Sequence, residues 1–354
     1  MSTRLGIIGY GLLGRLMAWR ASLRGYQVSV YEQNQNAQDS QQACFAAGGM
    51  LAPFSELEQS EPQIFHLGCA SLEIWPQWIA ELDSAIDYHR QGSLIVAHPR
   101  DRQLWLDFRQ KTCRLAKAGQ FQECLAQDIE AELHPSLDKG LFFPFEQHLA
   151  PDSLLPALAK ENEKQGIRVH YGQSVQTKED FTSLSERYDY LLDCRGIGAR
   201  NSLTDLRGVR GEALLVHAKL VHIKRPIRLL HPRYALYIVP RRDQYYYLGA
   251  TQVESENLAP ITVRSSLELL SAAFAVHTGF ADAHVVHSFV GLRPALSHHN
   301  PKIFVHQRRL AINGLYRHGY LLSPVLVEHT LNYLEKPQSE NIFPELFVHQ
   351  EFHV

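Results

Sequence analysis

Three glycines between an apolar run and a helix-patterned segment constrain this chain more than any other feature. Gly9, Gly11 and Gly14 follow the apolar residues 5–8 and overlap the start of 12–23, where apolar residues recur at helical spacing. They therefore fall at a strand-to-helix turn. In such a turn the first glycine permits the tight bend, the second lets backbone approach a pyrophosphate, and the third lets the helix pack closely on its strand. The helix N-terminus, opened here by Leu12 and Leu13, offers unpaired N–H groups to phosphate. A second apolar run, 27–31, ends at Glu32 and Gln33. Glu32 stands about 20 residues past Gly14, where a carboxylate can accept the ribose hydroxyls of an adenosine. The unit predicts a dinucleotide site and does not by itself choose between NAD and FAD.

Arg4 ahead of an apolar stretch imitates a secretion signal, but Arg15 and Arg20 interrupt it and no small-residue cleavage site follows. The segment reads as structure. Over 354 residues, 45% are hydrophobic and 20% charged, the balance of a soluble globular chain with ample length for a core. A formal net charge of −2 argues against a broad nucleic-acid surface. No run approaches the ~20 apolar residues of a membrane span. Five cysteines, an odd number with no CxxC pair, suggest reduced thiols in a cytoplasm. Nineteen histidines include His298 and His299, yet none sits in a zinc-type frame, so no metal is expected.

Further along, residues 43–53 concentrate small residues, among them Ala43, Cys44, Gly48, Gly49 and Met50, which lets backbone approach a bulky flat group. Helical periodicity covers 61–85, with a kink expected at Pro76, and returns over 104–118. Asp152 is a plausible N-cap for a helix through residue 165. Strands are expected at 92–97, 167–171 and 190–193, the last running into a glycine turn at Gly196. Between 208 and 290, strand-like segments with few helices predict a mainly antiparallel sheet. A strand and turn at 309–314 precede a helix over 324–334. The expected fold class is α/β: a Rossmann-like nucleotide domain (1–80, 146–206 and 288–354) with an inserted, mainly antiparallel domain (81–145 and 207–287).

Taken together, the motifs resemble one family, the glycine oxidase ThiO branch of the D-amino-acid oxidase flavoproteins. The resemblance rests on GYGLLG with Glu32, AAGGMLAP at 46–53, GSLIVAHPRD at 92–101 and DCRGIGAR at 193–200. It continues through RGVRGE at 207–212, YIVPRR at 237–242, LGAT at 248–251, GLRP at 291–294 and GLYRHGYLLSP at 314–324. These lie in family order along nearly the whole chain. The resemblance implies FAD as cofactor, with Gly9 to Gly14 at its pyrophosphate, Glu32 at its ribose and Val175 at its adenine. Gly48, Gly49 and Met50 would line the flavin. Leu315, Tyr316, Arg317, His318, Gly319, Tyr320 and Leu321 would form the loop closing over it.

The resemblance further implies that Arg293 binds an amino-acid carboxylate, for which a planar guanidinium fork is suited. It gives Tyr237 a hydrogen bond to the same carboxylate and turns the Arg317 main chain toward the amine. The implied reaction oxidises glycine or another small amino acid to its imine, with dioxygen as acceptor, hydrogen peroxide released and thiazole assembly for thiamine served. Homo-oligomers are common in the family. Ala235 and Gln252 depart from residues found in some members at the pocket, which bears on the choice of amine. An NAD-linked dehydrogenase, an FAD-dependent dehydrogenase of another small amine, or a flavoprotein that modifies or accompanies a partner protein are the alternatives. The later glycine turns at 196–198 and 314–319 favour the more extended FAD.

Overall fold

The computed structural model describes residues 2–37, 42–58, 60–233, 236–336 and 343–350. Strand Arg4–Ile8, helix Leu12–Leu23 and strand Gln27–Glu32 form the expected opening unit. They sit in a seven-stranded sheet ordered Phe347–His349, Lys302–His306, Arg309–Asn313, Tyr190–Asp193, Arg4–Ile8, Gln27–Glu32 and Arg168–Tyr171. Every neighbouring pair is parallel except the hairpin of Lys302–His306 with Arg309–Asn313. The strands at its centre are buried on both faces, which matches their unbroken apolar runs.

An eight-stranded sheet supplies the second layer, ordered His284–Ala295, Arg207–His217, Tyr245–Gly249, Leu236–Pro240, Ile227–Leu230, Ser93–Ala97, Lys139–Phe143 and Gln122–Leu125. It is antiparallel but for Ile227–Leu230 beside Ser93–Ala97, as the dense strand signals of 208–290 lead one to expect. Strand His284–Ala295 lies wholly in this sheet. A small three-stranded sheet joins Met50–Leu51, Gln147–Leu149 and Tyr88–His89.

Two helix-interior prolines are absorbed by tertiary partners. Helix Pro62–Ala80 runs through Pro76, and helix Gly319–Glu335 runs through Pro324. Each proline lacks the N–H that would bond the carbonyl four residues earlier. Gln147 Nε2 donates to the freed Leu72 carbonyl at 3.2 Å, and Trp75 Nε1 donates to that of Tyr320 at 2.9 Å. The first helix ends at Ala80 rather than 85, while the second begins at Gly319, ahead of the expected Pro324. Asp152 is not an N-cap. Ala150 holds that position, and Asp152 lies in the first turn of helix Pro151–Lys164, where its charge suits the helix N-terminus.

Candidate active site

One cavity of about 920 Å³ runs between the two large sheets. Its first wall is the glycine turn. Gly9 takes φ +94°, and a Cβ on Gly14 would fall 2.0 Å from the Gly9 carbonyl oxygen, so Gly14 locks the helix onto the turn without lining the cavity. A Cβ on Gly11 would meet no protein atom within 4 Å. Protein packing thus gives no reason for a glycine there; the open space beside the helix start does. Helix Leu12–Leu23 begins at this cavity with no side-chain cap, leaving N–H groups for a ligand, and helix Gly319–Glu335 also begins there, directly after the 3₁₀ turn Tyr316–His318.

Glu32 is buried on the cavity wall. Its two oxygens accept from Tyr10 N at 2.6 Å and Asn34 N at 2.9 Å, which fixes the carboxylate and leaves one lone-pair position on each oxygen. Gln33 lines the wall next to it. Val175 lines the same end, in the loop between Arg168–Tyr171 and Lys178–Arg187 rather than in a strand. Arg195 sets that loop. It grips Asp193 with Nε and Nη2 at 2.9 and 2.6 Å and donates from Nη1 to the Val175 carbonyl at 2.6 Å. Asn313 ties the later turns together, donating to the Gly196 carbonyl at 2.9 Å and accepting from Gly314 N at 2.8 Å.

The small-residue segment lies flat because other parts of the fold press on it. A Cβ on Gly48 would approach the Tyr247 ring at 2.9 Å, and one on Gly49 would fall 2.0 Å from the Leu149 carbonyl oxygen. Tyr247 and Tyr320 donate to the carbonyls of Ala46 and Cys44, both at 2.9 Å, and Arg241 donates to that of Gly48 at 2.7 Å. Ala43, Cys44, Gly48, Gly49 and Met50 all line the cavity, as do Gly196 and the segment from Leu315 to Leu321. Burial pushes the Cys44 thiol up to about 11, so it is an uncharged wall.

At the inner end, Arg293 extends from strand His284–Ala295 over Gly211. Its Nη1 donates to the Thr251 carbonyl at 2.9 Å, and burial lowers its affinity for the proton. A guanidinium stays charged even so, and its partial burial favours an incoming anion. Glu56, which sequence reasoning missed, lies opposite. Burial alone would raise its carboxyl, but Arg317 above all, with His318, Arg228 and the Tyr237 hydroxyl, holds it down at about 2. Arg317 Nη2 approaches it at 2.7 Å, and the Tyr237 hydroxyl donates to it at 2.6 Å. Tyr237 therefore spends its single proton on Glu56, which departs from the expected bond to a substrate carboxylate. Burial drives His318 down to about 4, leaving a neutral imidazole 3.7 Å from the same carboxylate. Gln252 lines the cavity, whereas Ala235 lies outside the described residues.

Glu56 carried no periodic or glycine signal. It follows the small-residue segment in a short 3₁₀ turn, Ser55–Glu58, and only folding brings it to residues 237 and 317. Among the described residues no helix is long and apolar enough to cross a membrane.

A dinucleotide cradle on a mainly parallel sheet, opening onto a half-buried cation on a mainly antiparallel one, defines a nucleotide-dependent oxidoreductase. The chain belongs to the FAD dependent oxidoreductase family, whose model matches residues 4–331. It is 37% identical over 323 residues to the "Putative thiamine biosynthesis oxidoreductase ThiO" of Rhizobium etli, covering 91% of this chain and 94% of that protein. It is 22% identical over 350 residues to a glycine oxidase of Geobacillus kaustophilus, covering 91% and 90%. The crystal structure of glycine oxidase from that organism superposes with a TM-score of 0.83 at 20% identity over 98% of both chains, and so shares the fold. The cofactor is FAD, and the open space at Gly11 beside the fixed Glu32 carboxylate fits its adenosine diphosphate half.

Proposed function

We propose that this protein oxidises glycine or a similarly small amino acid to its imine, passing two electrons to FAD and then to dioxygen, and that it serves thiamine biosynthesis. The observation that carries this reading is Arg293, a half-buried guanidinium at the inner end of the cofactor cavity, with no carboxylate among the described residues pairing with it. An amino-acid carboxylate supplies the missing anion through two parallel charge-assisted bonds. Similarity to a ThiO protein over most of both chains supports the pathway.

FAD, when bound, supplies the two-electron acceptor. Arg293 holds the carboxylate, and that anchor fixes where the α-carbon lies relative to the cofactor, so positioning provides much of the acceleration. No side chain here is assigned as a base. His318 is neutral and buried, Glu56 is ionised but committed to Arg317 and Tyr237, and loss of the ammonium proton before oxidation suffices. Tyr247, raised to about 12 by burial, stays neutral and presents a ring and hydroxyl to the cavity wall.

The deciding experiment measures peroxide release by the purified yellow protein with glycine, sarcosine, D-alanine and larger amines. Turnover of the smallest amino acids with one peroxide per imine is the expected result. Absence of turnover across the panel, with flavin fully bound, rejects the reading.

A further inference from the structure

Two cations line the inner end of the cavity, Arg293 and Arg317, and they are not equivalent. Arg293 donates to backbone carbonyls, those of Thr251 and Arg210. Arg317 is paired with the Glu56 carboxylate at 2.7 Å. Glu56 is itself held on more than one side. Tyr237 donates to it at 2.6 Å, and the neighbouring Ser55 N donates to the buried Glu146 at 2.7 Å, anchoring the turn that carries it. These contacts fix its orientation at the cavity wall.

Resting on the amino-acid oxidase reading above, we propose that Glu56 is a specificity-determining residue that restricts the substrate to a single carboxylate. By neutralising Arg317 it leaves Arg293 as the cationic seat beside Glu56, since Arg233 and Arg264, which also line the cavity, are exposed to solvent. A substrate with a second carboxylate on its nitrogen or side chain has two routes, both costly. It can displace Glu56 from Arg317 and strand a buried ionised carboxylate, or it can sit beside Glu56 as a second like charge. Rejection of this kind uses a repulsive group already in place rather than a missing contact. Arg228 stacks behind the Tyr237 ring at 5.1 Å and does not line the cavity, so it offers no second seat.

Sarcosine and iminodiacetate make the matched test, since both are secondary amines and they differ by one carboxylate. Acetate and malonate, followed by perturbation of the flavin absorption spectrum of the holoenzyme, give a binding readout independent of turnover. The wild-type protein is expected to bind acetate at least about tenfold more tightly than malonate. Glu56→Gln, which keeps the shape and removes the charge, is expected to move both the malonate-to-acetate affinity ratio and the iminodiacetate-to-sarcosine kcat/KM ratio toward the dianion by about tenfold. Wild-type preference for malonate overturns the proposal, as do ratios unchanged by Glu56→Gln with FAD retained. Equal weakening of both amines overturns it too, because that outcome assigns Glu56 to the amine. If neither amine is oxidised, the oxidase reading fails while the acetate and malonate titration still decides the charge rule.

Discussion

The guanidinium of Arg293 lies where a side chain on Gly211 would begin. A Cβ built on Gly211 falls 2.4 Å from both Cζ and Nη2 of Arg293. The two residues sit on adjacent antiparallel strands, with Val209 opposite Arg293 and Gly291 opposite Gly211, so they are diagonal neighbours on one sheet. Gly211→Ala should therefore push the anion seat out of place without touching the cofactor turn. KM for the amino acid is expected to rise about tenfold, with FAD content unchanged. An unaltered KM would show that Arg293 has another position to occupy.

Removing the cation itself is the harsher variant. Arg293→Ala is expected to raise KM by about a hundredfold, the loss of a charge-assisted pair worth ~3 kcal/mol. Steady-state peroxide assays and the flavin spectrum separate this from cofactor loss. A normal KM would remove Arg293 from carboxylate binding.

Glu32 works on the other half of the cavity. Its oxygens accept Tyr10 N and Asn34 N and still have lone pairs for ribose hydroxyls. Glu32→Gln leaves only one acceptor oxygen. FAD affinity is expected to fall by roughly thirtyfold, about 2 kcal/mol, with substrate preference intact in the protein that retains flavin. The FAD-to-protein absorbance ratio after gel filtration checks this, and full occupancy would contradict it.

Glu146 should make stability fall as the solution becomes more basic. Burial raises its carboxyl to about 7, and hydrogen bonds from Ser55 and Ser93 offset only part of that rise. Between the ordinary carboxylate range and pH 7 the folded state keeps a proton that the unfolded state has lost. Stability from this group is thus complete below about pH 4.5 and declines as pH rises through 7. Glu146→Gln, which stays neutral and can still accept from Ser55 N, is expected to flatten the pH profile of the unfolding free energy between pH 5 and 8 by an amount on the order of 3 kcal/mol, measured by denaturant titration. Parallel profiles for the variant and wild type would refute a protonated Glu146.

The opening unit was legible from its residues because its signals are local. Helix Leu12–Leu23 and the flanking strands follow from apolar periodicity and glycine placement within a single stretch of chain. The antiparallel character of the second sheet was legible for the same reason. Proline effects were not, since Pro76 and Pro324 were accommodated by donors from Gln147 and Trp75, remote in sequence from the carbonyls they reach. Val175 lies in a loop that Arg195, twenty residues on, holds in place through the Val175 carbonyl.

By itself the sequence determined a strand, glycine turn and helix from Gly9 to Glu32 of the kind that suits a dinucleotide and, through its ordered motifs, which family the later segments resemble. Tertiary structure alone decided which charges meet. Glu56, Tyr237 and Arg317 come from three separated segments, and their pairing leaves Arg293 without a carboxylate partner among the described residues. A charge's partner depends on distance through space and on burial, and neither is written in the spacing of residues along the chain.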